Sequence, residues 1–330
     1  LRLLERHDPE GMGLRWLRAD PARPGDWRTH PVATALLRRP MLLIGGWHDP
    51  HLRGILDLWR RSVEAGGRPE LRIGAWSHLD WNGGLDEEQL AFFRHHLAAP
   101  VRPGAAVEAA PALDGGLISL QCVTSERWER FGPDLPAAAA ASSEGWGLRS
   151  RGLAAVRSDE GELLERAAPG DGRVVLVHDP WRPVPGRGGH LGPEPGIVER
   201  GDMDRRADVA CFTTAPLAEP LELLGEPRLT LRVSADQPGF DLCGALSLIS
   251  GEGGGVRQIS CGFSRFRGEG CLEADLRQLR LQPLFARLAP GERLRLSLAA
   301  AAWPQVAVNP GDGSLPLGGA GPEHRVITLQ

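Results

Sequence analysis

Residues 39–61 read RPMLLIGGWHDPHLRGILDLWRR and change character twice. MLLIGGW is a near-continuous apolar run, the pattern of a strand covered on both faces, as in parallel sheets. Asp49 and Pro50 stop it. HLRGILDLWRRSVEAGG then sets Leu52, Ile55, Leu56, Trp59 and Val63 on one helical stripe, and Gly66-Gly67 closes the helix. A strand feeding into an amphipathic helix is half of a parallel α/β unit. An acid at the carboxyl end of such a strand stands on the edge where open α/β sheets hold their chemistry.

The next stretch repeats the order. ELRIGAW is a second short strand, and DEEQLAFFRHHLAA a second helix with acids in its first turn and Arg94, His95 and His96 towards its end, matching the helix dipole. Residues 1–35 carry short helical patches cut by Pro and Gly, too thin to bury a core alone. Past residue 116 the helices fade. LISLQCVTSERWERF, GRVVLVHDP, PRLTLRVSAD and FDLCGALSLISGEG are short, partly alternating runs bounded by Gly, Pro or Asp, which predict a β-sandwich or jelly roll. The expected class is α/β plus all-β: a linker or cap remnant over 1–35, the carboxyl-terminal part of an α/β domain over 36–115, and a β-sandwich over 116–330. The Ala run 137–141 is read as a loop, and Asp179 and Asp241 as turn caps.

Composition narrows the partners. A formal charge of −4 over 330 residues gives no electrostatic reason to expect nucleic acid or an anionic membrane. No apolar run approaches the ~18 residues that span a bilayer. The five cysteines are odd in number and lack a C-x-x-C pair, which predicts buried free thiols in a reducing, cytoplasmic setting and neither disulfides nor a zinc site. His95-His96 has no acid or Cys at ligand spacing and reads as a solvated helix end; no metal or cofactor is expected. The chain opens on Leu, not Met, which creates the expectation of a missing N-terminal portion.

His78, in LRIGAWSHLDW, follows the second strand as Asp49 follows the first. Neighbouring parallel strands lie ~4.8 Å apart and open on one edge, so the two side chains can meet there. On spacing alone two readings stand. Either Asp49 caps the helix and His78 is structural, or the carboxylate fixes the imidazole tautomer and stabilises the imidazolium when Nε2 takes a proton. Asp before His is the chain order of α/β-hydrolase triads, which run Ser, Asp, His.

MLLIGGWHD followed by LRIGAWSH resembles the motifs around the catalytic Asp and His in the cocaine esterase and X-Pro dipeptidyl-peptidase (CocE/NonD) family. VHDPWRPVPGRGGH is similar to that family's DP-x-x-PVP-x-x-GG loop. DRRADVACFTTAPLAEPLELLGEPRLTLRVSAD and AAAWPQVAVNPGDG are similar to its later segments, in family order. The resemblance implies an α/β-hydrolase sheet followed by a galactose-binding-like jelly roll, with Asp49 as orienting acid and His78 as general base. It implies a small ester or peptide as substrate. His51 stands where the family tends to line the pocket, although a solvent-facing neighbour of the helix cap fits it equally. Trp76 and Trp81 bracket His78 and can wall the site or pack in a core.

The family's serine lies on a G-x-S-x-G elbow upstream of the Asp. GFSRF and GDGSLP are the nearest substitutes here, and neither reads as a strained strand-to-helix turn. The expectation is an inactive portion of a serine hydrolase, its nucleophile coming from an upstream segment or a complementary chain. The alternative is a non-catalytic remnant that binds carbohydrate or protein through its jelly roll. A truncated parallel sheet also predicts weaker protection over residues 1 to about 115 than in the β-rich half.

Overall fold

Pro40 ends the helical preamble, and the apolar run behind it forms β1 (Leu42–His48). The computed structural model describes all residues except 1, 22, 29, 81–83, 98–115, 134, 136–144, 166–171, 193 and 252. Before β1 stand three short helices, α1 (Arg2–His7), α2 (Met12–Arg18) and α3 (Thr34–Leu37). After it come α4 (Leu52–Glu64), β2 (Glu70–Ser77) and α5 (Leu85–Leu97). β1 and β2 pair in parallel, from Leu42 opposite Glu70 to His48 opposite Ser77. α4 buries Leu52 and Trp59, whereas Val63 at its far end is exposed, so the apolar stripe runs out one turn early. Gly66 takes a left-handed φ of 85°. Its N–H bonds to Val63 O at 2.9 Å and that of Gly67 to Ser62 O at 2.8 Å, the paired closure that a glycine at a helix end permits.

The sheet extends further than the sequence suggests. β3 (Ile118–Gln121) adds in parallel to β2, and β4 (Trp128–Phe131) runs antiparallel to β3. LISLQCVTSERWERF, expected to open the β-rich half, therefore completes a four-stranded sheet in the order β1-β2-β3-β4. A short alternating run looks the same in either setting. Its neighbour decides, and Leu71, Arg72 and Ile73 supply that neighbour through residues distant in sequence. The expected boundary at residue 115 and the Ala run 137–141 lie outside the described residues.

The remaining strands are β5 (Trp146–Arg149), β6 (Gly161–Glu165), β7 (Leu176–His178), β8 (Val198–Glu199), β9 (Val209–Thr213) and β10 (Leu221–Gly225). Then follow β11 (Arg228–Val233), β12 (Gly239–Ile249), β13 (Val256–Arg267), β14 (Asp275–Arg280), β15 (Leu284–Leu288), β16 (Arg293–Ala299) and β17 (Ile327–Leu329). Seven of them form one sheet in the order β5-β6-β9-β16-β12-β13-β8, and the pairs β10–β15, β11–β14 and β7–β17 form separate ladders. The large sheet is antiparallel except where β6 meets β9. A Cβ at Gly244 on β12 would stand 2.8 Å from the Leu279 side chain, so β14 packs on the face of this sheet.

Asp179 does cap a turn, accepting the Trp181 N–H at 3.0 Å. Asp241 does not. It lies within β12, fully buried, and pairs with Arg265 at 2.7 Å. The apolar core runs without a break from Trp47 and Leu52 to Ile327 and Leu329. Ion pairs add to it, Arg53 with Glu226 at 2.9 Å and Arg267 with Asp20 at 2.6 Å. All five cysteines are unpaired and buried. Among the described residues no helix is long and apolar enough to cross a membrane.

Candidate active site

β1 and β2 end side by side because glycine lets them. A Cβ on Gly46 would stand 2.2 Å from Trp76 O, and one on Gly74 2.5 Å from the Trp76 ring. Beyond these residues the register slips: Gly46 faces Gly74, but His48 faces Ser77. β2 therefore carries one residue more than β1 over this interval. An insertion of this kind bends a strand and re-aims the side chains beyond it. Gln121 of β3 satisfies the disturbed backbone. Its Oε1 accepts the Ala75 N–H at 2.9 Å, and its Nε2 donates to Glu126 O at 2.9 Å. Gln121→Met keeps the length of the side chain but orphans the Ala75 N–H. It is expected to cost about 1–3 kcal/mol in urea unfolding. A loss below about 0.5 kcal/mol would mean that the bulge does not depend on this prop.

At the end of the bulge Asp49 and His78 meet. His78 Nδ1 lies 3.2 Å from Asp49 Oδ2. The carboxylate is buried and the imidazole half exposed, so the acid faces the interior and the ring faces outward. The other carboxylate oxygen, Oδ1, accepts the backbone N–H of His51 at 2.7 Å. One oxygen of the same side chain thus shapes the turn into α4, and the other faces the imidazole.

The main chain of Asp49 is held as well. Its carbonyl accepts the Leu52 N–H at 3.2 Å and Gln282 Nε2 at 2.8 Å. Gln282 comes from the short link between β14 and β15, is buried, and donates its own N–H to Cys261 O at 2.9 Å. Arg53, the second residue of α4, reaches Leu281 O at 3.0 Å. The β-rich half therefore lies beneath the turn that carries the acid. Gln121 and Gln282 escaped the sequence reading because no local pattern marks a side chain that acts across 46 or 233 positions.

His51 is exposed, makes no side-chain cap to α4, and holds its ring centroid 4.9 Å from that of His78 at a tilt of 60°. Trp76 is buried, its ring tilted against Trp128 at 5.4 Å. Trp81 lies outside the described residues. Ser264 falls inside β13, and Ser314 sits in a turn with its N–H on Asp312 Oδ1. Neither stands on a strand-to-helix elbow.

Two further histidines lie behind the acid. His48 and His190 are both buried, and loss of hydration pushes each imidazole down to about 4. For His190 the charges of Arg53 and His48 add to the effect, and Asp49 opposes it. Both rings are neutral near pH 7, so neither adds charge at the dyad. Where the sequence predicts no metal-ligating group, the structure brings ligand atoms of Asp49, His51 and His78 within 4.8 Å of one another.

A buried carboxylate aimed at a half-exposed imidazole can orient a general base and stabilise its charged form. Comparison with known proteins bears on that chemistry. Residues 133–329, more than half of the chain, match the model of the X-Pro dipeptidyl-peptidase C-terminal non-catalytic domain. Residues 1–80 match that of the X-Pro dipeptidyl-peptidase (S15 family). No curated protein matches the chain. An aminopeptidase from a marine sediment Thaumarchaeota archaeon superposes with a TM-score of 0.70 at 19% identity, over 99% of this chain and 59% of its own. An α-amino acid ester hydrolase gives 0.65 at 19% identity, over 89% and 53%. A CocE/NonD family hydrolase from Staphylococcus aureus gives 0.55 at 12% identity, over 92% and 53%. At such identities the likeness is one of fold, and the chain spans little more than half the length of these proteins.

Proposed function

Because the chain belongs to the X-Pro dipeptidyl-peptidase family of CocE/NonD hydrolases, we propose that Asp49 and His78 are the acid and base of a Ser-His-Asp triad. The reaction it serves is cleavage of acyl esters or of amide bonds such as those after X-Pro. The observation that carries this reading is the 3.2 Å approach of Asp49 Oδ2 to His78 Nδ1 at the carboxyl ends of adjacent parallel strands.

With Nδ1–H given to Asp49, the lone pair of His78 is at Nε2. It takes the proton of a serine hydroxyl as the oxygen attacks the substrate carbonyl, and Asp49 stabilises the imidazolium. His78 then protonates the leaving alcohol or amine, and water releases the acyl group by the same steps in reverse. His51, stacked beside the base, borders the substrate.

The sequence has no G-x-S-x-G elbow. The serine comes from a segment outside these 330 residues, whose strands add to β1, or from a complementary chain. Among the described residues β1 pairs only with β2, which leaves its other edge for such a strand. The β-rich half is read as a galactose-binding-like jelly roll, in keeping with its seven-stranded sheet and the β11–β14 pair on its face. The five unpaired thiols favour a reducing, cytoplasmic location.

Purified residues 1–330, given p-nitrophenyl acyl esters and a fluorophosphonate probe, are expected to show neither turnover nor labelling. Addition of the segment that carries the elbow is expected to restore both, with the label outside residues 1–330. Labelling and turnover at any serine within them would overturn this reading. Failure of the added segment to restore either would leave a non-catalytic binding module.

A further inference from the structure

We propose that Asp49, His51 and His78 form a binding site for a divalent late first-row transition ion, and that the ion switches the dyad off. The switching depends on Asp49 and His78 being the acid and base proposed above; the binding does not.

Two ligands on one zinc ion, at bond lengths near 2.0–2.1 Å, stand roughly 3.4 Å apart. Asp49 Oδ2 and His78 Nδ1 are 3.2 Å apart, so the pair already spans one edge of a coordination shell. A bond from the His51 N–H to Oδ1 fixes the carboxylate plane, which keeps Oδ2 aimed at His78. His51 supplies the third donor. All three ligand atoms lie within 4.8 Å, and the His51 side chain is exposed and makes no helix cap, so its ring is free to turn inward.

Two imidazoles and one carboxylate form a donor set found for zinc in hydrolytic enzymes. Nitrogen donors favour zinc, cobalt, nickel and copper over magnesium and calcium, which take oxygen. Arg53, the next cation along α4, is paired with Glu226 at 2.9 Å, which draws its charge away from the trio.

The consequence for chemistry follows from the tautomer. A metal on Nδ1 uses the lone pair there, so the neutral ring must carry its proton on Nε2. That is the atom from which the base has to work. If the ring starts as the imidazolium, the Nδ1 proton leaves to solvent and Nε2–H remains. In either case His78 can no longer accept a proton from a hydroxyl.

The test uses residues 1–330, with Zn²⁺ in calorimetry and Co²⁺ in visible absorption. One equivalent is expected to bind, with d–d bands of four-coordinate cobalt and no thiolate charge-transfer band. Mg²⁺ is expected to give no heat. His51→Ala and His78→Ala should each weaken binding about 100-fold, in proportion to one ligand of four, and His95→Ala should leave it unchanged. No binding, binding in the His51→Ala or His78→Ala chain as tight as in the parent, or a thiolate band that marks the cysteines would overturn the proposal. Because the readout needs no nucleophile, failure of the hydrolase reading leaves these outcomes unaltered.

Discussion

Asp49→Asn, in a chain supplied with its nucleophile segment, is expected to keep the fold and lose about 10⁴ in kcat/KM for an aryl ester. The division of labour between the two carboxylate oxygens makes the result asymmetric. Asparagine still offers an acceptor to the His51 N–H, the bond that shapes the turn at 2.7 Å. Its main-chain carbonyl still receives Gln282. Toward His78, however, it can present an NH₂ group where Oδ2 was. That group donates to Nδ1 and drives the ring proton to Nε2, and the imidazolium loses its counter-charge. Thermal unfolding should therefore change little while the rate collapses. Asp49→Ala removes both acceptors and should cost about 1 kcal/mol more in stability. An asparagine chain within about tenfold of the parent rate would mean that Asp49 is a turn residue alone.

What could be read ahead of the structure was whatever is local. The apolar run, the stop at Asp49 and the Gly66-Gly67 closure lie within one stretch of chain, and each appears where the pattern sets it. The approach of Asp49 to His78 was legible for a different reason: parallel strands joined by a helix must end on one edge. The slip at Gly46 and Gly74 was not legible. It arises from the contact between Trp76 and the facing glycines, and a one-residue offset leaves no mark in periodicity. β3 was assigned to the wrong sheet because four alternating residues carry no information about their partner. Gln121 and Gln282 act across the fold on backbone groups, and a glutamine gives no sign in the sequence of what its amide will meet. Asp49 and His78 were thus visible because they lie at strand ends, and their supports were not.

Acidification should begin to destabilise this chain near pH 6.5, before its carboxylates are protonated, and the cause is the set of buried histidines. His48 and His190 are held neutral down to about 4 by loss of hydration, and burial lowers His178 in the same sense. In the unfolded chain each ring has its ordinary value of about 6.5. Above that value neither state is protonated and stability is unaffected. Between about 6.5 and 4 the unfolded chain binds protons that the native rings refuse, so unfolding becomes easier as pH falls, by up to about 1.4 kcal/mol per unit for each histidine. Below about 4 the native rings also protonate and the loss levels off. Over the window His48 and His190 contribute about 3 kcal/mol each, slightly coupled because the charge of one lowers the other. Glu70 works against them. Burial raises its carboxyl, so the folded state takes up a proton more readily there and gains as pH falls. Set against a typical total of about 5–15 kcal/mol, the roughly 6 kcal/mol lost by pH 4 removes between under half and all of the stability. Urea unfolding at pH 7, 6, 5 and 4 measures the slope directly. His190→Gln, which cannot charge, should remove close to half of it. A flat profile from pH 6.5 to 5, or an unchanged slope in the His190→Gln chain, would show that these rings are hydrated in solution.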